Sequence, residues 1–97
     1  MIEINDLEEL NNAVADGKHL IEIYTEFCNP CKKMKNEILP KVEDQIDVIT
    51  VNALEATDIA MNYSISSVPA LLLFEDGELT NMRVGFMNET ELLNFIE

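Results

Sequence analysis

Tryptophan is absent from this 97-residue chain, and histidine (one), cysteine (two), glycine (three), proline (three) and basic residues (six) are all scarce. Each shortage excludes something. Six basic residues against nineteen acidic ones leave a formal charge of −13, which repels phosphate backbones and anionic membrane surfaces, so neither nucleic acid nor membrane is an expected partner. Two cysteines are too few to staple a small secreted scaffold. They and His19 also fall short of the four ligands of a structural zinc site, which would have to borrow from another subunit. No metal and no organic cofactor is therefore expected. A histidine with an adjacent carboxylate, as a cysteine hydrolase would need, is not evident, and His19 reads as a solvated residue in the loop after Gly17. The longest continuous apolar stretch is Ala70 to Phe74, too short to cross a membrane as a helix. The N-terminus, MIEINDLEEL, carries acids where a secretory signal has a basic region. A cytoplasmic, monomeric protein is expected.

What is present is globular. With 47% hydrophobic and 26% charged residues, one domain spanning residues 1–97 is expected, large enough for a modest core. Met1 to Ile4 alternates as a short strand. Asn5 with Glu8 resembles an N-cap and its reciprocal acid, opening a helix with Leu7, Leu10 and Val14 on one face and ending at Gly17. Leu20 to Phe27 reads as a strand with apolar residues on both faces, hence central and covered twice. A helix follows from Asn29 through Met34 and Ile38 toward Pro40, which should kink or end it, with a tail to about Gln45. Ile46 to Val51 is β-branched and strand-like, and Thr57 to Tyr63 is a short helix. Val68-Pro69 leads into the strand Ala70 to Phe74. Asp76-Gly77 turns a hairpin into Leu79 to Val84, and Asn88 with Glu91 caps a last helix carrying Leu92, Leu93 and Ile96. The order β-α-β-α-β-α-β-β-α implies an α/β fold, a mixed sheet flanked by helices.

The chemistry concentrates in "EFCNPCKK". Cys28 stands where a strand gives way to a helix, so its sulfur can face unpaired N–H groups and the positive end of the helix dipole, which favours the thiolate. Pro30 sits in the first turn, where proline is tolerated. Cys31, one turn further in, lies deeper. This arrangement gives attack by Cys28 and resolution by Cys31. Glu22 lies between Leu20 and Tyr24 on a covered face, an awkward place for an ordinary surface acid.

Taken with "SSVPALLLFEDGEL" and "RVGF", the segment "IEIYTEFCNPCKKM" resembles the thioredoxin family over nearly the whole chain. The resemblance implies the thioredoxin fold, a cis Val68-Pro69 bond, and Pro69 beside the sulfurs where substrate backbone docks. It also implies that Glu22 occupies the place of a buried aspartate that exchanges a proton with the second cysteine. There are departures. Phe27-Cys28-Asn29-Pro30-Cys31 stands where the family carries Trp-Cys-Gly-Pro-Cys, Asn36 stands where it has a helix proline, and Thr50 stands where it often has a basic residue. Without a local cation, burial should raise the Glu22 pKa.

The implied activity is thiol–disulfide exchange that reduces protein disulfides through Cys28 and Cys31, with substrates docking on Phe27, Asn29, Pro30, Val68, Pro69 and Gly85. Electrons would come from a reductase or a small thiol. A glutaredoxin-like reductase fits less well, because the Pro-Tyr pair and a basic glutathione-carboxylate site are missing. An interaction module with incidental cysteines is the alternative from another class.

Overall fold

The computed structural model describes residues 1–97 and carries five strands in one sheet, ordered β1-β3-β2-β4-β5. The strands are β1 (Ile2–Glu3), β2 (Lys18–Tyr24), β3 (Asp47–Asn52), β4 (Ala70–Glu75) and β5 (Glu78–Val84). Strands β1 and β2 both run parallel to β3, while β4 is antiparallel to β2 and β5 to β4. Helices α1 (Leu7–Ala13), α2 (Asn29–Lys33), α3 (Thr57–Asn62) and α4 (Glu89–Phe95) complete the expected order.

Strand β2 is central and covered on both faces, as its alternating apolar residues require. Leu20 joins a core with Met34, Ile38 and Leu39 beyond α2, and with Leu92 and Phe95 of α4. Ile21 and Ile23 join the other, with Leu10 and Val14 from the α1 end and Ile59 of α3. Both cores are built mainly of Leu, Ile and Val with one Phe each, side chains whose burial contributes roughly 1.5–3 kcal/mol each.

Several readings of the sequence change in detail. Helix α1 is capped by Asp6, whose Oδ1 accepts the Glu9 amide at 2.8 Å, so the cap lies one residue beyond Asn5. The helix also stops at Ala13, before Gly17. Gly17 (φ 84°) serves the far turn instead: its N–H donates to Asp76 Oδ1 at 2.8 Å, and its carbonyl accepts the Asp76 amide at 2.9 Å. Asp76 (φ 49°) and Gly77 (φ 86°) supply the positive φ pair that a two-residue hairpin requires.

His19 is buried in β2 rather than solvated in a loop. Its Nε2 lies 2.7 Å from the Asp16 carbonyl, which can only accept, so Nε2 carries the proton. The strand itself ends at Tyr24, three residues early, because the chain turns through Thr25-Glu26-Phe27, with the Cys28 amide donating to the Thr25 carbonyl at 3.3 Å.

The helix after Cys28 changes pitch. Helix α2 passes into a π turn at Met34–Ile38, closed by the Leu39 amide donating to the Met34 carbonyl, and then into a 3-10 turn at Leu39–Lys41. Pro40 explains the sequence of pitches, since a continued α-helix would need an N–H there and would press the ring against the carbonyl four residues back. The anticipated tail to Gln45 is turn rather than helix. At the C-terminus the reciprocal Asn88–Glu91 box forms as expected.

The shifted cap is directly testable. Asp6→Ala should cost about 1 kcal/mol, whereas Asn5→Ala should stay within about 0.5 kcal/mol, both read from urea midpoints.

Candidate functional site

Cys28 is the N-cap of α2, and its sulfur accepts the Cys31 amide at 3.2 Å. The two cysteines are joined in a disulfide with Cα atoms 5.3 Å apart. They differ sharply in exposure. Cys28 is half-buried, and Cys31 is 1% exposed. Phe27 before them is 85% exposed, and Asn29 and Pro30 between them are exposed as well.

Two hollows flank α2. One is lined by Tyr24, Phe27, Cys31, Lys32, Lys35 and Asn36. The other is formed by Asn29, Pro30, Lys33 and Phe86, with the Lys33 ammonium 5.7 Å from the Phe86 ring centroid. The antiparallel pairing of Ala70 with Ile23 carries Pro69 to the end of β2 from which Cys28 departs. The Val68-Pro69 bond is cis. Pro69 is buried, Val68 half-buried, and the Pro69 carbonyl accepts the Gly85 amide at 2.8 Å. This ties the residue after β5 to the start of β4.

Glu22 is fully buried, and neither carboxylate oxygen has a hydrogen-bond partner. Desolvation pushes its pKa from 4.5 up to about 8, against a downward pull from the Lys35 ammonium. A local cation therefore does exist, contrary to the expectation from Thr50: it comes from the helix instead of β3. Thr50 lies directly opposite Glu22 on β3 and also opposite Glu3 on β1. Lys35 is half-buried with its ammonium 5.1 Å from the Tyr24 ring centroid, while the Tyr24 hydroxyl donates to Glu3. Burial and the Glu3 carboxylate together hold the Tyr24 pKa above its ordinary value. Sequence reading overlooked Tyr24 and Glu3 as site neighbours, and it did not bring Lys35 to Glu22. The available signal was spacing: Lys35 follows Cys31 by four residues, one helical turn.

A sequence model of the family described as Thioredoxin matches residues 2–97. The chain belongs to the thioredoxin family. It is 30% identical to thioredoxin of Chlamydia caviae over 99% of this chain and 96% of that protein. It is 33% identical to thioredoxin of Mycoplasma pneumoniae over 97% and 95%. Among solved structures, a mutant thioredoxin of Halobacterium salinarum superposes with a TM-score of 0.89 at 26% identity, covering 98% of this chain and 86% of that one. Oxidised mitochondrial thioredoxin 3 of Saccharomyces cerevisiae gives 0.87 at 25%, covering 99% and 92%. With its cysteine pair bonded at the strand-to-helix junction, this thioredoxin-family chain is a thiol–disulfide oxidoreductase.

The Glu22 pKa has a consequence for stability. Between about pH 4.5 and 8 the unfolded chain has lost this proton and the folded chain keeps it, so the unfolded state binds fewer protons and stability falls as pH rises. Glu22→Gln removes that slope. At pH 7 the variant should be more stable by on the order of 3 kcal/mol, the gain shrinking toward nothing near pH 4. Urea titrations of the oxidised protein at both pH values check this.

Proposed function

We propose that this thioredoxin-family protein reduces protein disulfides in the cytoplasm, using Cys28-Asn29-Pro30-Cys31 as its active-site motif, with Cys28 as nucleophile and Cys31 as resolving thiol. The observation that carries the assignment is the asymmetry of exposure: a nucleophile must reach a substrate sulfur, and only Cys28 is open to one. The Cys31 amide aimed at the Cys28 sulfur adds a donor that favours an anion there.

Two successive exchanges reduce the substrate. The Cys28 thiolate attacks one sulfur of the substrate disulfide, forming a mixed disulfide and releasing the other substrate sulfur as a thiolate, which takes a proton from water. Cys31 then gives its thiol proton to the Glu22 carboxylate. The Cys31 thiolate attacks the Cys28 sulfur, closing the Cys28–Cys31 bond and expelling the second substrate thiolate. Two electrons have passed to the substrate, and the protein is left in the oxidised form described above. A carboxyl at about 8 suits this exchange, because an ordinary thiol titrates near 8.5 and the proton moves between groups of similar affinity.

Substrate backbone docks along the rim formed by Phe27, Val68, Pro69 and Gly85, with Asn29 and Pro30 at its centre. Phe27 supplies apolar area where the family's tryptophan is missing. A reductase or a small thiol returns the electrons, and the cytoplasm, where thiols are held reduced, keeps the pair in its working dithiol state.

Cys31→Ser should trap covalent mixed disulfides visible on non-reducing gels, and Cys28→Ser should form none. If the trapping pattern is the reverse, the roles are exchanged. Equilibration with glutathione and dithiol buffers should give a potential near the value of about −270 mV known for thioredoxin, whereas about −120 to −180 mV would indicate an oxidant or isomerase.

A further inference from the structure

The Glu22 carboxyl is buried with no hydrogen bond to either oxygen, in the layer between the sheet and α2. Little around it can stabilise a charge. From β3 it faces Thr50, and from β4 it faces Leu71. The α4 residues in the adjoining core are apolar: Leu92, Phe95 and Ile96. From its own strand comes Tyr24, two residues on and on the same face, with its hydroxyl committed to Glu3 of β1. From the helical side come Cys31 and Lys35, which line one hollow together with Tyr24.

We propose that Lys35 is a positioning residue for the disulfide chemistry: its ammonium, seated over the Tyr24 ring beside the strand position of Glu22, governs when that carboxyl can release and accept a proton. The inference rests on the reading of Glu22 as the proton acceptor for Cys31. A buried carboxyl with no partner and no cation keeps its proton through the neutral range and has no empty place for the thiol proton. Lys35 lowers the pH at which that place opens. The direction agrees with the downward pull that Lys35 exerts on Glu22.

Two features hold the ammonium there. Lys35 is the second residue of the π turn, so the wide turn forced ahead of Pro40 sets the azimuth at which its side chain leaves the helix. The Tyr24 ring, fixed at its hydroxyl by Glu3, offers a face at 5.1 Å for the cation. Glu3 thus acts at one remove, holding the ring on which the lysine rests.

The test is a site-resolved titration of the Glu22 side-chain carboxyl by carbon NMR in the oxidised protein, for wild type, Lys35→Gln and Lys35→Arg. The Gln variant should titrate at higher pH and the Arg variant close to wild type. In stopped-flow measurements of mixed-disulfide resolution, the pH at which the rate rises should move up with Lys35→Gln and return with Lys35→Arg. An unchanged Glu22 midpoint in a folded Lys35→Gln protein overturns the inference. Glu22→Gln in the same rate assay tests the underlying reading separately: an unaltered pH profile there removes Glu22 from the reaction, while the NMR midpoints still report whether Lys35 controls its proton.

Discussion

Strand β2 is buried on both faces from His19 to Ile23, with a hydrogen-bonded neighbour along each edge. That constraint orders the rest of the molecule. A strand enclosed in this way delivers its C-terminal end to one place with little freedom, and that end carries the turn into Cys28. Parallel pairing with β3 and antiparallel pairing with β4 bring two further chain segments to the same end of the sheet. The cysteines therefore belong to a helix start whose location is fixed by backbone pairing, in keeping with the precision that sites supported by rigid elements achieve.

The same enclosure makes Glu22 costly. A carboxyl in the middle of such a strand can be kept neutral or be given a cation, and this chain does some of each. Desolvation dominates, and Lys35 offsets part of it from a helix whose pitch is altered. Pro40 breaks the hydrogen-bond ladder, the π turn absorbs the break, and the 3-10 turn returns the chain toward β3. The irregularity is continuous with the core, since Met34, Ile38 and Leu39 within it are all buried.

Much of this was legible in the residues. Alternation gave the central strand its two apolar faces, Asn88 and Glu91 marked their helix, and Asp76-Gly77 marked the hairpin. The spacing of Cys28 and Cys31 at a strand-to-helix junction pointed to redox chemistry, and the surrounding segments to the family. What escaped depends on contacts between distant segments. Asp6 and Asn5 are both competent caps, and sequence alone does not rank neighbours of equal propensity. Gly17 as a helix stop would leave His19 in a solvated loop, whereas Gly17 is engaged by Asp76, 59 residues away. Thr50 on β3 implies that Glu22 has no cation beside it, yet one comes from the helix, at an azimuth set by a π turn that no local pattern announces.

The two hollows divide the residues around the disulfide between them: Phe27 and Cys31 line one, and Asn29 and Pro30 help to form the other. Each also holds lysine, Lys32 and Lys35 in the first and Lys33 in the second. Three of the six basic residues in a chain of net charge −13 therefore border the cysteine pair. The ground around the sulfurs is an island of positive charge on an acidic surface.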